Sequence, residues 1–526
     1  MFSEREFIAH EAAPAPDPRG TPRPWWEGRP FVAAMILIAF IPLLYPPFPP
    51  LVDLPGHAGR FKVALDIGNS PYLAQWYGFE WRPIGNLGVD ALVHPLAHLF
   101  GVEPATKLVV MSIPPITVAG MLWVAREVHN RLPPTVAFAL PLAFGHPFLY
   151  GFVNFALSMA LALLAFGLWL RLGRLNRTRL RAALFVPISF IIFFAHTFGW
   201  GTLGLLCFSA EAVRQHDRGV SWWRSGVHAA VHASALALPL VVMVGWRTEA
   251  TGGRTTGWFV WESKWDYLKR MLRDRWQWWD MASAAIVAAV PLLAIVLPKL
   301  TLSRNLAFSG LILGAAFVLL PRTIFGSAYA DMRLAPFLAA IFILAIRFKR
   351  ESDIRLGRVL AIVGVAFLLA RTVSVTASLA IAAKEQREIL AALDHVEPGS
   401  RVEAFEWWPC RTWPLERAAH LPSMAIVRRE AFSNDQWPLV GAALLTLRQT
   451  DLGYFGRDPS QIVRNPGCRR EGLSVQKSLE LMPENKFDYL WLINMPSYPP
   501  QWTSGWERVF ANDRSILLKR KDSQRP

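Results

Sequence analysis

Between residues 31 and 381 the chain is a succession of long apolar runs separated by short polar turns, and charge returns to ordinary density only after Ala383. A helix crossing about 30 Å of hydrocarbon needs roughly 20 mainly apolar residues. Such runs cannot be packed into one soluble domain. Eleven candidate spans are read at about 29–46, 106–125, 133–149, 151–170, 182–196, 199–213, 225–246, 280–298, 304–321, 334–347 and 357–381. Several are short, or are split by Pro or Gly. Only 18% of residues are charged and 53% are apolar, against roughly 25% charged in an average globular protein. That aromatic and aliphatic content also excludes a disordered chain.

The basic residues report orientation. With the N-terminus inside, the inward loops hold 17 Lys/Arg in 48 residues and the outward loops hold 12 in 120. The positive-inside rule therefore predicts a cytoplasmic N-terminus and an external C-terminus. The net charge of +16 does not indicate a nucleic-acid partner, because the cations sit at the ends of apolar segments and form no stripe on a soluble face. Residues 1–28, rich in Pro, read as a disordered cytoplasmic leader. The first apolar run lacks a small-residue cleavage site and reads as an uncleaved span. Residues 29–383 form the expected membrane domain, with a long first outward loop over 46–105.

Residues 384–526 read as a small extracytoplasmic α/β domain. "RVEAF", "SMAIVRREA", "FDYLWLINM", "WERVFA" and "SILLKRK" are strand-like, and "EQREILAALDHV" is a helix ended by "EPGS". Three cysteines exclude a disulfide-built scaffold. Cys410 and Cys468 would share an oxidising compartment and could pair there, or stay as two buried thiols.

The chemistry is expected at the outward turns. The first outward loop opens with "FPPLVDLPGHAGRF". Asp53 is read either as the N-cap of a helix starting at Leu54–Pro55 or as a fixed carboxylate acting as base or metal ligand. His57 and Arg60 would lie near the same face. Further on, "GNLGVDALVHPLAHLFG" reads as an amphipathic helix on the membrane surface, with His94 and His98 read either as a ligand pair or, more commonly for such histidines, as wet residues on its polar face. His146 and Asn154, His196, then Tyr329, Asp331 and Arg333 fall at three other outward turns, and Arg371 lies in the outer part of the last span. Ionisable groups at membrane depth usually face a cavity and not lipid. The loop 247–280 combines six Trp with Lys264, Lys269, Arg270, Arg273 and Arg275. It is read either as a grip on a lipid-linked phosphate or as a plain interfacial segment. No phosphate-cradling Gly loop, CxxC or nucleophile elbow is present.

Together these features resemble the GT-C class of membrane glycosyltransferases, the superfamily of the dolichyl-phosphate-mannose–protein mannosyltransferases and bacterial lipid A sugar transferases. The shared pattern is an acidic residue just after the first span (Asp53 in "DLPGH"), a surface helix ("NLGVDALVHPLAHLF"), an Arg-bearing loop before a late span ("ADMRLAPFLAA") and a C-terminal α/β domain. The "GFVN" turn at 151–154 resembles bacterial members of the class. Many members carry two adjacent acidic residues in the first loop, where this chain has Asp53 with His57. The resemblance implies a polytopic helical fold in the bacterial inner membrane and a polyprenyl-phosphate-linked sugar as donor. It implies Asp53 as catalytic base, with His57 orienting it or sharing a divalent metal; no cofactor is certain. It implies Arg333, Arg371 or the Lys269–Arg270 loop as the grip on the lipid phosphate, and His146, Asn154, His196, Tyr329 and Asp331 as further substrate contacts. The reading of a different class is a transporter or a non-catalytic assembly subunit for a surface polysaccharide.

Overall fold

The computed structural model describes residues 24–249, 254–324, 326–349, 354–409, 412–437, 443–465, 468 and 472–521. All eleven apolar runs carry helix. Among the described residues, five helices are long and apolar enough to cross a membrane: Val102–His129, Val153–Arg174, Thr178–Ala195, Gln277–Val296 and Ile354–His395. A sixth span is the pair Trp222–Leu236 and Pro239–Gly245, bent by 66°. Thr197–Asp217 is a further helix of 21 residues. The helical stretches Arg29–Leu44, Val136–Leu149, Arg304–Leu319 and Met332–Leu344 are shorter.

The run at 133–149 is not one regular helix. Pro141, Gly145 and Pro147 break it into the short turns Val136–Phe138, Leu140–Phe144 and His146–Leu149. Every residue from 132 to 149 is buried. Irregular backbone is tolerated at membrane depth when it is enclosed by protein, because no lipid then faces an unsatisfied amide.

The last helix extends well beyond its expected end. Ile354–Leu390 is continuous over 37 residues, about 55 Å at 1.5 Å per residue. The helix expected from "EQREILAALDHV" is its final part, followed by the 3-10 turn Ala391–His395. It leads into a five-stranded sheet in the order Phe432–Ser433, Arg401–Glu406, Tyr489–Ile493, Ser515–Arg520, Trp506–Ala511. The first three strands are parallel and the last two pairings are antiparallel. Tyr489–Ile493, fully buried, is the centre. "SMAIVRREA" is not a strand but the helix Met424–Arg429 followed by Phe432–Ser433. Met424, Ala425 and Ile426 are buried, and Ile426 packs beside Gly59.

The first loop and the C-terminal domain are joined. Strand Tyr77–Phe79 pairs antiparallel with Leu445–Leu447. Lys62 bridges to Glu430 at 2.9 Å, and Arg428 to Glu103 at 2.9 Å. Arg417 reaches back to the Pro50 carbonyl and pairs with Asp274 at 2.5 Å. The disulfide-bonded Cys468 lies in this domain, and Cys207 is a buried free thiol. Cys410, expected as a partner, lies outside the described residues.

Candidate functional site

Asp53 occupies the N-cap position of helix Leu54–Asp66, where Pro55 near its start fixes a helical φ. Its side chain makes no capping hydrogen bond. The backbone around it is pinned from the other side. The Asp53 N–H donates to the Tyr150 carbonyl at 2.9 Å, and Val52 donates to Leu149 at 3.4 Å. Gly151, at φ +102°, lets the turn close on it, since a Cβ there would stand 2.6 Å from the Asp53 nitrogen. The "GFVN" turn therefore fixes where Asp53 sits.

The released carboxylate faces a residue from the C-terminal domain. Asp53 Oδ1 lies 3.7 Å from His420 Nε2. The opposite ring nitrogen, Nδ1, lies 2.8 Å from Asp435 Oδ1 and 3.7 Å from Asp458 Oδ2. Trp437 covers the ring at 4.2 Å between centroids. Gly56 lets this tryptophan approach the helix, because any Cβ there would overlap its ring. One ligand atom each from His420, Asp435 and Asp458 lie within 4.8 Å of one another, close enough to share a metal ion. Burial pushes the Asp53 carboxyl up to about 7, against the opposing pull of His420. Burial would lower His420, but the carboxylates of Asp458, Asp435 and Asp53 outweigh it and hold the ring at about 10. Burial raises Asp435 to about 6 and Glu406 well above the usual carboxylate range.

Of the residues singled out from sequence, Arg333 comes together with Asp53, each within the other's electrostatic field. Its guanidinium lies 4.3 Å over the Phe152 ring. Among the described residues it makes only long bonds, to Ser327 Oγ and the Ala328 carbonyl, at 3.3 and 3.4 Å. Tyr150 and Tyr329 stand 5.7 Å apart, and His146 lies 5.9 Å from Tyr150. His146 is buried with neither ring nitrogen hydrogen-bonded, facing Arg273 and Arg270. His57 is half-buried against Phe61 and Trp437. Burial and then Arg60 keep its ring far below the usual histidine range, so it is neutral. The imidazole facing Asp53 is His420.

Other candidates are committed elsewhere. Asn154 bonds to Val89, Asn86 and Asp90 and ties the surface helix Gly88–Phe100 to the bundle. Asp331 pairs with Lys264 at 3.2 Å, both buried. Arg371 pairs with Asp280 at 2.7 Å inside the protein. His196 Nδ1 accepts from the Phe198 N–H and caps helix Thr197–Asp217. Lys269 and Arg270 both lean on Asp266, at 3.9 and 2.7 Å.

His420, Asp435, Asp458 and Glu406 were not reached from the sequence. They lie in turns or on one strand of the C-terminal domain, at no motif spacing. The nearest signal is polar "SNDQ" lying between apolar stretches.

Comparison with solved structures gives a match along nearly the whole chain. The crystal structure of ArnT from Cupriavidus metallidurans in the apo state matches with a TM-score of 0.52 at 11% identity, over 93% of this chain and 96% of that one. The crystal structure of the same protein bound to undecaprenyl phosphate gives a TM-score of 0.46 at 12% identity, over 94% and 98%. No family model and no curated protein matches the sequence. The chain is a polytopic helical membrane protein of GT-C fold, the fold it shares with ArnT.

Proposed function

We propose that this chain is an inner-membrane glycosyltransferase. It moves a sugar from a polyprenyl-phosphate donor to a hydroxyl of a cell-envelope glycan, lipid or protein at the outer face. The observation that carries the reading is Asp53. Its carboxylate is left free of the helix it begins, is pinned by the Tyr150–Gly151 turn, and is set beside both His420 and Arg333. The GT-C fold supports the same reading.

In this mechanism the acceptor oxygen attacks the anomeric carbon while Asp53 takes its proton. The bond from that carbon to the phosphate oxygen breaks, and its electron pair stays on the lipid phosphate. Arg333 stabilises the departing phosphate, because among the described residues its guanidinium has no carboxylate bonded to it and can pair with two phosphate oxygens. The Phe152 ring, 4.3 Å from the guanidinium carbon, helps hold that group in place. Arg371 and Asp331 act as struts, being neutralised by Asp280 and Lys264. The aromatic group of His146, Tyr150 and Tyr329, with Arg270 and Arg273 acting on His146, is the proposed lining of the donor's path. The N-terminus is cytoplasmic, and the C-terminal domain with its cysteines faces outward.

The test is transfer by purified protein in nanodiscs from a radiolabelled set of polyprenyl-phosphate sugars to envelope extract. Transfer that is lost in Asp53→Asn supports the reading. Absence of transfer from every donor, in protein that binds none of them, overturns it.

A further inference from the structure

The geometry points to a divalent-cation site inside the C-terminal domain, on the side of His420 turned away from Asp53, with His420, Asp435 and Asp458 as ligands and the buried carboxyl of Glu406 nearby. It extends the reading above, in which Asp53 works beside His420.

Four observations converge. The first is spacing: His420 Nδ1 is 2.8 Å from Asp435 Oδ1 and 3.7 Å from Asp458 Oδ2. Two ligands at about 2.1 Å from one ion stand about 3.0 Å apart at right angles and about 3.4 Å apart at tetrahedral angles. The two observed distances bracket these values. The second is orientation, because each aspartate has its other oxygen held by a backbone N–H. Asp435 Oδ2 accepts from Ser423 at 2.9 Å, and Asp458 Oδ1 accepts from Ser460 at 2.9 Å. The oxygens turned to His420 are thereby fixed, as outer partners fix metal ligands.

The third is Glu406, which is 1% exposed and whose two carboxylate oxygens have no hydrogen-bond partner among the described residues. Glu416 acts on it most strongly among the charged groups, followed by His420, Asp458 and Asp435. A buried carboxylate with no partner is costly. One imidazolium sets a single positive charge against the carboxyls of Glu406, Asp435, Asp458 and Asp53, whereas a divalent ion bound to the neutral ring sets two. The fourth is the remaining ring nitrogen, Nε2, which faces the Asp53 carboxylate at 3.7 Å. A metal-bound imidazole commonly gives its other N–H to a carboxylate, which sets its tautomer and tilt. The cation would thus act on Asp53 through His420, as a positioning element without contact to the reacting atoms. An oxygen-rich set with a single imidazole suits Mn2+ or Mg2+.

The test uses the full chain in nanodiscs, stripped with chelator and titrated with Mn2+, with free Mn2+ read by electron paramagnetic resonance. Wild type is expected to bind one Mn2+ per chain. Asp458→Asn and Glu406→Gln should each weaken binding at least ~10-fold, and Asp53→Asn should keep one Mn2+ per chain. In Asp458→Asn the amide oxygen can still accept from the Ser460 N–H, so an unchanged thermal midpoint checks that the variant is folded. No saturable binding of Mn2+, Mg2+ or Zn2+ by wild type overturns the site, leaving the carboxyls protonated instead. Equal affinity in wild type, Asp458→Asn and Glu406→Gln overturns it too. Protein that binds Mn2+ but transfers no sugar supports the cation site while overturning the glycosyltransferase reading. Transfer without any binding overturns the cation site alone.

Discussion

Asp53 and Arg333 are the residues on which the proposed chemistry turns, and each has a substitution that separates its roles. Asn caps a helix as well as Asp does, and Asp53 makes no side-chain cap in any case. Asp53→Asn should therefore leave folding intact and lower the transfer rate by roughly 10²–10⁴-fold, the range for loss of a general base. Full activity in that variant would remove Asp53 from the mechanism. Arg333 holds its guanidinium over Phe152 with only long hydrogen bonds. Lysine keeps the charge but loses the planar fork. Arg333→Lys should weaken binding of a polyprenyl-phosphate sugar in nanodiscs, and Arg333→Ala should weaken it more. Equal binding by wild type and both variants would reject Arg333 as the phosphate ligand.

At the level of elements, two joints hold the site. The turn at Gly151 closes on the Asp53 backbone. Gly151→Ala must displace that contact, and a shift near 1 Å at a reacting group can cost roughly 10²-fold in rate. The expected outcome is a large fall in kcat with donor binding retained; unchanged kcat would show that the turn does not position Asp53. The second joint is Arg60, which grips Asp90 with two bonds at 2.8 and 3.0 Å and so ties helix Leu54–Asp66 to Gly88–Phe100. Asp90 is 3% exposed. Arg60→Met leaves a buried carboxylate with only Asn154 beside it, at a cost of about 3 kcal/mol. A clear drop in the thermal midpoint is expected, and an unchanged midpoint would argue against this joint.

For the whole molecule, the prediction is topological. Reporter fusions at residues 175 and 352 should read cytoplasmic, and those at 70, 262 and 450 external. The ground is the 17-in-48 against 12-in-120 asymmetry of Lys and Arg. A cytoplasmic reading at 450 would put the C-terminal domain, and with it His420, on the inner side. The pairing of Tyr77–Phe79 with Leu445–Leu447 requires residues 70 and 450 to lie on one side of the membrane. Opposite readings at those two positions would therefore contradict the fold itself.

The sequence by itself determined the polytopic helical class, the expected orientation and the long first loop with Asp53 at the head of a helix. These follow from local properties: apolar length sets what can span a bilayer, and flanking charge sets which end stays inside. It also marked "RVEAF", "FDYLWLINM", "WERVFA" and "SILLKRK" as strands, because alternation and β-branched content are visible within a few residues. Helix Met424–Arg429 escaped it, since six residues carry too little periodicity and their burial comes from helix Leu54–Asp66 packing over them. Only the tertiary structure decided who meets Asp53. His420 comes from a domain folded after every span, and no spacing in one dimension encodes that encounter. It likewise decided which cations stay available. Arg333 and Arg371 look alike in sequence, yet Arg371 is neutralised by Asp280 and Arg333 has no carboxylate bonded to it among the described residues, because charge pairing inside a bundle is set by which helices pack together.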